Sequence, residues 1–169
     1  TSTAALAAGG AKNDGNETAN TEEWNGSQWT EVNDLNGVRQ GMGGAGTSSS
    51  AIVAGGFDGS GYTAVTEEWN ADFAYGVWAS GGNMNTARGY LGFAGASTRD
   101  SAFLFGGTSP AGDNADAELY NGTAWAQLND LNDARVNLMG AGTSTAALAF
   151  GGEDSPNNQT GVTETWNGT

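Results

Sequence analysis

Neither cysteine nor histidine occurs in the 169 residues, and the two absences remove whole classes of chemistry. Disulfides cannot form. Thiolate and imidazole metal sites are excluded, as is every catalytic triad that relies on His or Cys. The lack of Cys does not assign a compartment, because extracellular proteins can also dispense with disulfides. Basic residues are scarce too: Lys12, Arg39, Arg88, Arg99 and Arg135 stand against 19 acids, for a net charge of −14. Nucleic acid and anionic membrane both need a basic footprint, so neither is expected as a partner. Apolar runs are short, as in Ala51-Ile52-Val53-Ala54, and none approaches the length of a membrane span. The opening TSTAALAAGG has no basic start and copies an internal segment, so it does not read as a signal peptide.

Glycine is abundant instead. It supplies 29 of 169 residues, about 17% against an average of about 7%, and no Gly-X-Y period accompanies it. The excess therefore serves turns and tight strand packing. Six Trp, six Phe and four Tyr provide area to bury and argue against disorder. The length suits one domain with a core.

A repeat organises the whole chain. Glycine doublets fall at Gly9-Gly10, Gly55-Gly56, Gly106-Gly107 and Gly151-Gly152, in steps of 46, 51 and 45 residues. A Glu-x-aromatic-Asn element recurs with Glu22 and Trp24, Glu67 and Trp69, Glu118 and Tyr120, and Glu164 and Trp166. A second Trp follows at Trp29, Trp78 and Trp125, and ten residues after each comes Arg39, Arg88 or Arg135. Each unit divides into four strand-sized pieces. The first follows the Arg, as in residues 89–94. The second precedes the doublet, as in Ala102-Phe103-Leu104-Phe105, and its consecutive apolar positions predict cover on both faces. The third ends at the Glu-x-aromatic element and the fourth carries the second Trp. Asn25-Gly26 and Asn121-Gly122 predict type I′ hairpin turns, with positive φ at both central residues. No window of helical periodicity reaches ten residues, so the chain is predicted to be all-β.

Four strands repeated at this spacing match a propeller blade, and the residues resemble the kelch repeat. That family's pattern has an Arg opening the blade, a Gly-Gly doublet after the second strand, a Glu two before an aromatic in the third, and a Trp in the fourth. The first strand here is richer in Gly and Ala than the family pattern, and Tyr120 once replaces the third-strand Trp. The wording TEEWNGSQWTEVNDLN is also similar to kelch-type repeats in structural proteins of tailed marine phages. The resemblance implies a kelch-like β-propeller of four-stranded antiparallel blades, with four repeats spanning about 1–33, 38–82, 87–129 and 134–169. Both terminal blades are read as incomplete, since nineteen residues equivalent to 28–46 would complete the cycle. The expectation is a segment of a larger propeller, completed by further blades of the same chain or by a homo-oligomer, because open strand edges promote aggregation.

Candidate chemistry is sparse. The repeated Arg39, Arg88 and Arg135, with Glu22, Glu67, Glu118 and Glu164, could form an anion-binding ring. The simpler reading pairs each Arg with a Glu or with backbone carbonyls between blades, since a buried charge must be paired. Together with Trp24, Trp69, Tyr120 and Trp166 they are read as structural repeat positions. Gly41-x-Gly43-x-x-Gly46 formally matches a dinucleotide fingerprint, but no helix follows, so it is strand glycine. The variable segments are the loops after the doublets, residues 11–19, 57–64, 108–116 and 153–161. The resemblance places them on one face with the connectors Asn33-Asp34-Leu35-Asn36 and Asn129-Asp130-Leu131-Asn132. Variable loops on a rigid scaffold are where binding concentrates, and the interaction candidates are Asp14, Asn33, Asp34, Asp58, Tyr62, Asp113, Asp130 and Asp154. Their oxygens could take Ca2+, but no loop has EF-hand spacing, and no cofactor is expected. Sequons at Asn16, Asn25, Asn121, Asn158 and Asn167 include turn asparagines that need no sugar to explain them.

The function expected is a non-catalytic structural or adhesive module of an extracellular or virion appendage, binding protein or glycan through its loops. A propeller glycan hydrolase or lyase is the first alternative. It would need off-repeat residues, of which Asp72, Tyr75 and Asp100 are the obvious ones. An intracellular kelch-type adaptor is the second. The copper-oxidase chemistry of some kelch propellers requires His and Cys, which the chain lacks.

Overall fold

The computed structural model describes residues 3–154 and 158–169. Among them there is no helix, and the strands fall into four antiparallel sheets in chain order plus two small hairpins. The first sheet holds β1 (Ala5–Ala11), β2 (Glu17–Trp24) and β3 (Trp29–Val32). The second holds β4 (Gly43–Gly46), β5 (Ser50–Ala54), β6 (Thr66–Asn70) and β7 (Val77–Ser80), paired in that order. The third pairs β8 (Gly92–Phe93), β9 (Phe103–Phe105), β12 (Ala117–Tyr120) and β13 (Trp125–Gln127), with the hairpin β10 (Thr108–Ser109) and β11 (Gly112–Asp113) between its middle strands. The fourth pairs β14 (Met139–Thr143), β15 (Ala146–Phe150) and β18 (Thr163–Trp166), with the hairpin β16 (Glu153–Asp154) and β17 (Asn158–Gln159). Each sheet is one repeat unit, so the sequence period is also the structural one.

The core lies between consecutive sheets. Leu35, Trp69 and Trp78 fill the first interface. Ile52, Met84, Leu91, Leu104 and Trp125 fill the second, and Phe103, Phe105, Leu138 and Ala147 the third. Such contacts join each unit only to its neighbours. The fourth-strand indoles key the interfaces: Trp78 Nε1 donates to Thr21 Oγ1 at 3.1 Å, and Trp125 Nε1 to Thr66 Oγ1 at 2.9 Å. The strands β4, β8 and β14 lie side by side, and this explains their small residues. A Cβ on Gly43 would stand 2.6 Å from Leu104 Cδ2, and one on Gly140 2.2 Å from Phe93 O. The doublets have positive φ at both positions, 69° and 101° at Gly55 and Gly56, a conformation that favours glycine; they turn the chain out of β5 and β9, whereas Gly9-Gly10 make an irregularity within β1, which runs on to Ala11.

Two expectations need correction. In the Asn-Gly turns only Gly26 and Gly122 have positive φ, so neither turn is type I′. The loops are four residues long between Trp24 and Trp29 and between Tyr120 and Trp125. Asn25 Oδ1 closes the first by accepting from Ser27 N and Gln28 N. Asn121 Oδ1 accepts from Thr123 N and Ala124 N in the second. The asparagine acts through its side chain, as in an Asx-turn, and its backbone does not enter the left-handed region. Second, the apolar second strand is covered on both faces in β9, where all three residues are buried, but not in β15. There Leu148 and Phe150 are exposed on one face, because no further sheet lies against them among the described residues.

Candidate functional site

The repeat arginines are committed to structure. Arg39 and Arg88 are buried and each forms an ion pair with a buried Glu, Arg39 with Glu67 and Arg88 with Glu118. Arg135 is also buried and reaches Glu164 at 2.6 Å. Partners lie in the same unit as the Arg rather than between units, which corrects the sequence expectation. The reason is local: the Arg precedes a unit's first strand and the Glu sits on its third, so the side chain crosses the sheet's end. Backbone carbonyls complete the set, with Arg39 donating to Gly55 O and Val65 O. Arg135 repeats this with Gly151 O and Val162 O. What crosses between units is the Arg carbonyl, which accepts from the doublet's second Gly: Gly10 N to Arg39 O, Gly56 N to Arg88 O and Gly107 N to Arg135 O.

A third participant escaped the sequence reading. Asn36, Asn85 and Asn132, each three residues before the Arg, donate both backbone N and side-chain Nδ2 to the Glu. The signal was present as a fixed Asn-x-x-Arg spacing. Burial pushes the Glu164 carboxyl up, but the Asn132 donors and Arg135 outweigh it and hold it below its ordinary value. Each guanidinium is buried and paired, while Glu164 and Asn132 also line a cavity of about 230 Å³ with Phe103, Leu148 and Trp166.

Three consecutive units converge instead around Tyr62. Its ring lies 5.6 Å from Phe57 at 70° and 6.5 Å from Tyr90 at 81°, both edge-on arrangements. All three rings are half-buried. Tyr90 has φ of 56°, a left-handed conformation costly for an aromatic residue. Gly41 and Asn137 hold the same conformation at the equivalent positions. A run of backbone bonds secures it, with Tyr90 N donating to Gly41 O at 2.7 Å and Asn137 N to Tyr90 O at 3.0 Å. Polar groups border the rings. Gln40, bridged through its backbone to Phe57, donates from Nε2 to Glu17 Oε1 at 3.0 Å. Glu17 also abuts the 57–64 loop, since a Cβ on Gly59 would lie 2.8 Å from its Oε2. Asp58 braces that loop by accepting from Ser60 Oγ, Ser60 N and Gly61 N, and these bonds hold its carboxyl below the usual range. Such a cluster offers aromatic faces for an apolar or sugar-ring surface, with a carboxylate and an amide beside them for hydroxyls.

Of the sequence candidates, Tyr62 and Asp58 belong to this cluster; the others are dispersed. Asp14 accepts from Asn16 N in its own turn, and that bond first of all holds its carboxyl low. Asp34 Oδ1 accepts from Thr21 N, and Asp130 Oδ1 from Gln127 Nε2. Asp113 and Asp154 sit in the small hairpins, on β11 and β16. Asn33 bonds the β6–β7 loop, donating from N to Tyr75 O at 3.3 Å and from Nδ2 to Gly76 O at 2.6 Å. Among the described residues no three acidic side chains converge as a metal-ligand set. The off-repeat trio does not assemble either. Asp72 and Tyr75 are exposed in the β6–β7 loop, whereas Asp100 turns to Arg99 at 2.8 Å. Arg99 in turn lies 3.9 Å from Glu68, which accepts the Tyr120 hydroxyl.

No protein-family model matches the chain, and no curated protein matches it. A solved structure titled "Structure of YjhT" is similar in fold, with a TM-score of 0.74 at 14% identity over 89% of this chain. The match covers 50% of that structure, so this chain spans about half its length.

Proposed function

We propose that the chain is a non-catalytic structural or adhesive module built as a kelch-type β-propeller, part of an extracellular or virion appendage. Its four sheets are the blades, and it binds glycan or protein through the loop cluster around Tyr62. The observation that carries this reading is the aromatic group Phe57–Tyr62–Tyr90, where Tyr90 keeps a strained backbone at a position glycine fills in the preceding unit. All three units need this backbone, as Gly41 and Asn137 show, and only here does a bulky aromatic residue bear its cost. The acidic, repeat-built chain suits an exposed setting, and the commitment of the repeat arginines to ion pairs leaves recognition to the loops.

Glycan-array and pull-down binding tests the reading. A ligand is expected for the native chain, and Tyr62→Ala is expected to weaken it at least about tenfold, as loss of a central aromatic contact does. An array and pull-down that stay blank under several conditions would remove the adhesive part of the proposal. The glycan hydrolase or lyase alternative draws on the Arg99, Asp100, Glu68 and Tyr120 group. It requires hydrolysis that disappears in Asp100→Asn.

A further inference from the structure

The rings around Tyr62 are bordered by two carboxylates that no cation balances. Glu17 Oε1 accepts from Gln40 Nε2, while Oε2 lies against Gly59 with no bonded donor among the described residues. Asp58 turns Oδ1 to Ser60 and Gly61, and its Oδ2 is likewise left without a donor. Among the described residues every ion pair draws on Arg39, Arg88, Arg99 or Arg135, and none reaches Glu17 or Asp58. Arg39, whose field extends to Asp58, is already paired with Glu67. Lys12, on the hairpin between β1 and β2, acts on Asp14. Aromatic faces are electron-rich, so rings and carboxylates favour the same kind of guest, a cation. The net charge of −14 draws cations to the surface as a whole.

The neighbouring groups narrow what carries that cation. Gln40 and Glu17 set an amide beside a carboxylate, a pair that serves adjacent hydroxyls. Half-buried rings beside such a pair fit the flat face of a sugar. The turn that holds Asp58 is braced by three bonds to one oxygen, so its carboxylate stays in place beside Phe57.

We propose that the Tyr62 cluster is a site for an amino sugar, a pyranose bearing a protonated primary amine. The sugar face rests on the aromatic rings, its hydroxyls bond Gln40 and Glu17, and its ammonium lies by the carboxylates of Glu17 and Asp58. This rests on the reading of the cluster as the ligand site, and adds the ligand's class and the sign of its charge.

Calorimetric titration of the whole chain with a glucosamine tetramer and with its N-acetyl counterpart tests the proposal, at a pH where the amine is protonated. Salt at about 0.15 M screens charges more than about 8 Å away. The amine is expected to bind at least about tenfold tighter than the acetamide, as a cation seated on rings and a carboxylate does. Glu17→Gln keeps an acceptor for Gln40, and is expected to fold and to erase that preference. Asp72→Asn removes the same charge from the β6–β7 loop, at the other end of β6, and is expected to leave the preference intact. Equal affinity for the two tetramers, lost for both in Tyr62→Ala, overturns the amino-sugar assignment and leaves the adhesive reading standing. Binding of neither tetramer also overturns the assignment, and the glycan array then decides the adhesive reading separately. A lysine tetramer bound as tightly as the amino sugar overturns it too, because charge alone would suffice.

Discussion

A buried Arg flanked by a buried Glu is a matched pair at the residue scale, and its energetics follow from desolvation. Removing one member leaves an uncompensated charge, so Arg88→Ala is expected to cost about 3–5 kcal/mol. Replacing both, as Arg88→Met with Glu118→Leu, is expected to recover only part of that loss, because Asn85 N and Nδ2 and Gly106 O then lose their partners. Chemical denaturation of the two variants checks this, and equal losses in both would refute it. Two further side chains link stability to pH. The folded pKa of Glu164 lies below its ordinary 4.5, so its stabilisation is fully present above about 4.5 and lost as the pH falls through the lower folded value. The acid limb of the stability profile is expected to be shallower in Glu164→Gln. Tyr120 behaves in the opposite sense. Burial, then the bond to Glu68, raises its phenol from 10.0 to about 12, so its contribution is intact below pH 10 and lost as pH rises towards 12. Tyr120→Phe is expected to remove that alkaline loss, measured by thermal melts across the window.

Elements are joined by indoles, and that junction can be measured. Trp125 on β13 reaches Thr66 on β6 across the sheet interface. A double-mutant cycle with Trp125→Phe and Thr66→Val is expected to give a coupling of about 1 kcal/mol, the net worth of one buried hydrogen bond. Additive losses would mean that the two sheets are joined by area alone. Much of this scale was legible beforehand. Most strands of the four sheets fall where the Arg, the doublets, the Glu-x-aromatic elements and the second Trp placed them, although β1 runs on through its doublet to Ala11. Turn conformation was less legible, because Asn-Gly is compatible with a two-residue turn and with the longer loop that Asn25 and Asn121 close through their side chains.

Stability across the whole molecule follows from nearest-neighbour packing. The second and third sheets are packed on both sides, while the first and fourth each have one packed neighbour among the described residues. In a linear array the flanking units open first. Hydrogen exchange is therefore expected to be slowest in β5, β6, β9 and β12 and faster in β1 and β15, where Leu148 and Phe150 are already exposed. Uniform protection would show that the array opens as one body.

The sequence by itself determined the all-β class, the period, most strand positions and the structural standing of the repeat Arg with Glu67, Glu118 and Glu164, because each rests on local chemistry recurring at fixed spacing; Glu22, read the same way, is exposed and unpaired among the described residues. Tertiary structure alone decided which groups meet. The pairing of each Arg inside its own unit depends on how the sheet ends cross. The gathering of Tyr62, Tyr90, Phe57, Gln40 and Glu17 depends on three units folding side by side, which no single spacing encodes. Glu22 is exposed, and among the described residues no Arg or Asn bonds it, which its place in the repeat does not reveal.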